Sequence, residues 1–104
     1  MSEPPSTYLE FKKKYPNLTK VYEALGEECQ KAGPLGTKER ALAKLCIAIG
    51  AGLEGGVHSH TRRALDAGLE TDQIRHAVLL SLTTIGFPAM MRTLTWVEDI
   101  LAKK

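Results

Sequence analysis

At 104 residues the chain has room for one domain and a modest interior, and its 43% apolar and 25% charged composition is that of an ordinary globular protein. A net charge of +2 with acids and bases interspersed argues against a nucleic-acid partner, which needs a basic face. No run approaches the roughly 20 apolar residues that span a bilayer, so no membrane role is expected.

The N-terminal MSEPPSTYLEF has neither a basic region nor an apolar core and does not read as a secretory signal. The two cysteines, Cys29 and Cys46, fit no ligand spacing, and a cytoplasmic, reduced protein is the simplest reading. Residues 1–5 are expected to be disordered. Ser6 then suits the N-cap of a short helix ending near Lys14, and Lys12, Lys13 and Lys14 read as its solvated face. A second helix starts at Pro16, with Leu18, Val21, Tyr22 and Leu25 as its apolar stripe. Gly33-Pro34-Leu35-Gly36 breaks it.

Thr37 suits the cap of a third helix carrying Ala41, Leu42, Leu45, Cys46 and Ile49, which ends at Gly50 to Gly52. A fourth helix begins near Glu54 or Gly56 and stops at Gly68, the place of a C′ glycine. Thr71 opens a fifth, with Ile74, Ala77, Val78, Ser81, Leu82 and Ile85 on one side and Leu79 and Leu80 widening the stripe. Gly86-Phe87-Pro88 separates it from a sixth, whose face is Met91, Leu94, Val97 and Leu101, with Trp96 and Ile100 adjoining. No alternating pattern occurs. The fold class predicted is all-α, about six helices in one domain, residues 1–104. The apolar stripes exceed what so small a chain can cover, which predicts a homo-oligomer with Trp96, Phe87, Met90 and Met91 at the interface.

Chemistry concentrates at the break between the third and fourth helices. Residues two apart on a helix diverge, so His58 shares a face with Glu54 and Arg62, while His60 shares one with Leu53, Gly56, Ala64 and Ala67. Glu54 and His58 read as an ion pair, or as two metal ligands that would need His76 as a third. His60 has two readings: a core imidazole with one backbone hydrogen bond, or a half-buried acid–base group near neutral pH. Gly55 and Gly56 leave space for a ligand beside it, and a ligand carboxylate would meet free N–H groups at that helix start. Cys46 reads as an inert buried thiol, and Cys29, beside Glu27 and Glu28, as a blunted one. His76 reads as a surface partner of Asp72.

Several blocks carry a resemblance. Lys38-Glu39-Arg40 opens an apolar helix; His60-Thr-Arg-Arg-Ala64-Leu-Asp-Ala-Gly68 follows, then Thr71-Asp-Gln-Ile74, and then Ile85-Gly86-Phe87-Pro88-Ala89. In order and spacing, residues 37–101 resemble the carboxymuconolactone decarboxylase family, which includes the AhpD-like alkylhydroperoxidases. The redox branch of that family uses a Cys-x-x-Cys, then a histidine after three further residues, with a glutamate twelve residues before the first cysteine. Counted back from His60, those positions hold Leu53, Gly56 and Ala41, so the resemblance implies the histidine without the dithiol. Dithiol peroxidase chemistry is therefore disfavoured, and a one-cysteine route through Cys46 is an unsupported alternative.

The decarboxylase branch, which does without the cysteine pair, removes carbon dioxide from a lactone acid. For that reaction the resemblance implies a lyase-like role in which His60 donates the proton and Arg40 or Arg62 orients an anion. It also implies an AhpD-like bundle assembled as a trimer or hexamer. The expected site is thus His60, with His58 and Glu54 near it and Gly55, Gly56, Arg40 and Arg62 for a small, perhaps anionic, ligand. No cofactor and no metal are expected. The alternative from another class is a non-catalytic oligomeric scaffold of the same fold.

Overall fold

The computed structural model describes residues 4–102, which are helix and turn throughout, without a strand among them. They divide into two compact units, residues 4–35 and 36–102. The expected disorder of residues 1–5 falls largely outside the described residues.

Residues 4–35 form two helices, α1 (Ser6–Lys14) and α2 (Pro16–Lys31). Pro5, not Ser6, holds the cap position of α1, and its carbonyl accepts the Tyr8 and Leu9 N–H groups. Pro16 fixes the first turn of α2, where its missing N–H costs nothing. Thr19 Oγ1 donates back to the Tyr15 carbonyl at 2.9 Å, and Lys12 reaches Glu23 at 3.6 Å. The α2 stripe stays uncovered: Leu18, Val21, Tyr22 and Leu25 are 58%, 67%, 69% and 60% exposed.

Residues 36–102 hold five helices: α3 (Thr37–Ala51), α4 (Glu54–Asp66), α5 (Thr71–Leu80), α6 (Leu82–Ile85) and α7 (Phe87–Leu101). The first two end in the same way. The Leu53 N–H reaches the Ala48 carbonyl and the Gly52 N–H the Ile49 carbonyl; Leu69 to Ala64 and Gly68 to Leu65 repeat the pattern. Both are Schellman ends, with a glycine at positive φ (69° at Gly52, 97° at Gly68). The α3–α4 junction is consequently only Gly52-Leu53 long, which folds α4 back against α3.

Two expected caps are displaced by one residue here as well. Gly36 precedes α3 where Thr37 was expected, and Glu70 caps α5 in a capping box with Gln73 where Thr71 was expected. The predicted fifth helix is split at Ser81, whose hydroxyl donates to the Val78 carbonyl at 2.6 Å, leaving α6 as a separate turn.

The core is a single cluster inside this unit: Leu45, Ala48 and Ile49 from α3, Val57, Ala64 and Leu65 from α4, Ile74 and Val78 from α5, and Met90, Val97, Ile100 and Leu101 from α7, with Leu69 from the α4–α5 turn. The inward face of α7 agrees with the expected one at Val97 and Leu101, with Leu94 packed against the core, and differs at its start. Met90, Thr93, Val97, Ile100 and Leu101 are buried, whereas Met91 is exposed, so Met90 belongs to the core and not to a surface contact. Two cross-helix pairs fix the outside of the bundle. Arg75 forks onto Glu98 at 2.7 and 3.1 Å, and His58 Nε2 meets Asp99 Oδ2 at 3.0 Å. The hydrogen bonds from Arg75 hold the Glu98 carboxyl below the usual range. No described helix is long and apolar enough to cross a membrane.

Candidate functional site

The short Gly52-Leu53 junction and the close approach of α3 to α4 leave a cleft between the two helices. It opens to solvent, holds about 120 Å³, and is lined by Lys44, Ile47 and Ala48 from α3, Leu53 from the junction, and Gly56 and His60 from α4. Gly56 allows the approach. A Cβ at that position would lie 3.2 Å from the Ala48 Cβ and 3.2 Å from the Leu53 Cβ, closer than most side chains tolerate. Gly55 meets nothing and serves no such purpose.

His60 is half-buried at the rim of this cleft. The buried face of α4 is Val57, Thr61, Ala64 and Leu65, so His60 stands beside the core and not in it. Among the described residues no hydrogen bond engages its ring, and the reading of a sealed core imidazole tied to a backbone carbonyl does not hold. Burial, then the Lys44 ammonium, then the Arg63 guanidinium hold its pKa below the ordinary 6.5. At neutral pH the ring is therefore uncharged, with one nitrogen free to accept a proton.

The other expected site residues are dispersed. His58 faces α7 and pairs with Asp99, not with Glu54, although Glu54 lies one turn before it on α4; being two residues from His60, it points to another side of the helix. Glu54 is exposed and does not line the cleft. Arg40 is placed against Thr37 Oγ1 at 3.4 Å, and neither it nor Arg62 lines the cleft. Asp72 pairs with Arg75, not with His76. Among the described residues no three histidine, cysteine or acidic side chains gather as a metal would need, so Glu54, His58 and His76 do not converge. The cation that does stand at His60 is Lys44, which sequence reasoning passed over. Its signal was there: Lys44, Ile47 and Ala48 are three and four apart on one helix face.

Cys46 corrects another expectation. It is exposed, not buried, and lines a second groove of about 190 Å³ with Ile49, Gly50, Ala77, Leu80, Ser81, Thr84 and Ile85. The apolar surroundings push its thiol above the ordinary 9.0, away from the thiolate that redox chemistry needs.

A family model described as the carboxymuconolactone decarboxylase family matches residues 16–99. The chain belongs to that family. Comparison with curated proteins and with solved structures finds no match, so the family model carries the assignment alone. In this carboxymuconolactone decarboxylase family chain, the three positions that the resemblance ties to the redox motif, Leu53, Gly56 and His60, lie together in one cleft. Only the last carries a titratable group. Ala41, at the glutamate position, packs against the core instead.

Proposed function

We propose that this family member binds a small anionic molecule in the α3–α4 cleft and acts on it by acid–base chemistry through His60. The observation that carries the reading is an imidazole without a hydrogen-bond partner, half-buried at an open cleft beside a lysine. Such a ring is the acceptor form at neutral pH. A bound anion would offset the Lys44 field and raise its proton affinity, so the same ring takes a proton and then returns it to the substrate.

Of the family's chemistries, decarboxylation of a lactone acid fits better than dithiol reduction of peroxides. The chain has two cysteines, 17 positions apart, and the one that lines a groove is held in its thiol form. The test is carbon dioxide release from a carboxylated γ-lactone. His60→Ala is expected to slow it by about 100-fold or more, the usual weight of a general acid–base group. An unchanged rate would overturn the reading.

The second reading is a non-catalytic homo-oligomeric scaffold. Its support is the apolar surface left uncovered, including Ile47 at 69% and Phe87 at 59% exposed. Under it, His60→Ala alters stability and nothing else. Self-association, as a trimer or hexamer, is part of both readings, and cytoplasmic residence accords with the reduced cysteines.

A further inference from the structure

Lys44 is the one cationic side chain lining the cleft, and no carboxylate lines it. Within residues 36–102 the contrast is Arg75, whose charge is taken up by Glu98 and Asp72. No described acid forms an ion pair with Lys44. The cleft therefore has an unspent positive charge and nothing to receive a cationic ligand.

Its remaining walls restrict the ligand further. Ile47, Ala48 and Leu53 are aliphatic, and Gly56 has no side chain. Beyond the ammonium, the sole polar side chain is His60, whose neutral ring offers one N–H and one acceptor nitrogen. A carboxylate at Lys44 with an aliphatic segment against Ile47 and Leu53 suits these walls, and further polar groups of a ligand keep their water at the open mouth. At about 120 Å³ the cleft is a little smaller than an apolar cavity of about 150 Å³ that holds a benzene, room for a body of about five carbons.

We propose that the cleft binds the carboxylate of a small acid through the Lys44 ammonium and the His60 N–H, an aliphatic segment of that acid lying against Ile47 and Leu53; pentanoate is the minimal ligand of this kind. This rests on the functional reading above and adds Lys44 to it as the residue that selects the charge of the ligand. Arg63 lends the same sign of field without lining the cleft.

The experiment is a calorimetric and NMR titration with pentanoate and with pentanamide, its neutral isostere, at pH 7.5. The proteins are the full chain and its Lys44→Met and Lys44→Arg variants; Lys44 is exposed, so both variants are expected to fold. Pentanoate should bind the native chain at least about tenfold more tightly than pentanamide, shifting the amides of residues 44–60, since a charged hydrogen bond is worth about this much. Lys44→Met should abolish that preference, and Lys44→Arg should keep it.

Equal binding of acid and amide overturns the proposal. So does a Lys44→Met variant that binds pentanoate as the native chain does, or a native chain that does not bind it. The two readings fail separately. Pentanoate held on Lys44 while His60→Ala leaves carbon dioxide release intact removes the acid–base role and keeps the carboxylate site. The reverse pattern keeps His60 as the reacting group and removes Lys44 as its anchor.

Discussion

His60, Thr61 and Thr93 each stand in surroundings that disfavour one form of the side chain: the charged imidazole, and the unpaired hydroxyls. The folded chain holds His60 below the ordinary 6.5, so between that lowered value and 6.5 the unfolded chain binds a proton that the folded chain does not. Stability therefore rises with pH across this window and falls as acid is added below 6.5. Urea melts from pH 7.5 to 5 should show the loss, and His60→Ala should remove part of the slope; a variant as acid-sensitive as the native chain would speak against it. Thr61 and Thr93 are fully buried, and neither hydroxyl finds a partner among the described residues. An unpaired buried hydroxyl costs about 1–3 kcal/mol. Thr61→Val and Thr93→Val keep the shape and remove the orphan oxygen, so each should raise stability by about 1 kcal/mol in urea unfolding. A loss of stability would show that the hydroxyls are bonded through water.

The elements show what was legible in the sequence. Periodicity located the helices, because apolar residues three and four apart leave no other way to build a core. Gly68 and Gly52 could be placed as stops because only glycine takes their positive φ without strain. Ser6, Thr37 and Thr71 were placed one residue late, since Pro5, Gly36 and Glu70 also start helices and local propensity does not separate neighbours. On α7 the pattern marks Val97, Leu101 and Leu94 but takes Met91 for Met90, because the two are interchangeable in a hydropathy pattern and only tertiary packing selects between them. At the site, helical spacing separated His58 from His60 correctly. It groups Lys44 with Ile47 and Ala48 on one face of α3 but does not aim that face at His60, because which face meets α4 is set by how the two helices pack.

The α3–α4 junction has a further property. A Cβ at Gly56 would stand 3.2 Å from that of Leu53, against about 3.5–4.5 Å across a disulfide. A shift of a few tenths of an ångström would bring two cysteines there into bonding range. Leu53→Cys/Gly56→Cys is expected to form an intramolecular disulfide on mild oxidation, seen as a loss of 2 Da by mass spectrometry with no dimer. Two free thiols under the same oxidant would show that the backbone, or the Ala48 contact at position 56, holds the two positions out of bonding geometry.

At the scale of the molecule the outstanding feature is apolar surface without cover. Within residues 4–35 the α2 stripe is exposed at i, i+3, i+4 and i+7, the spacing by which an amphipathic helix enters a groove. Within residues 36–102, Ile47, Leu79, Leu80, Leu82, Ile85, Phe87 and Met91 are exposed. Apolar surface of this kind, where contiguous, marks an association site. Sedimentation should give a mass several times that of one chain, and Val21→Glu or Phe87→Glu should lower it; a monomer in both native and variant forms would remove the oligomeric part of the proposal. Such association bears on function, because Ile47 and Leu53 form walls of the His60 cleft and are themselves more than half exposed.

His60 stands uncharged in an open cleft under the field of Lys44, and a ring-proton NMR titration of His60 reads this directly. A midpoint below 6.5 in the native chain, moving upward in Lys44→Met, is the expected result. A midpoint at or above 6.5 that Lys44→Met leaves in place would contradict it.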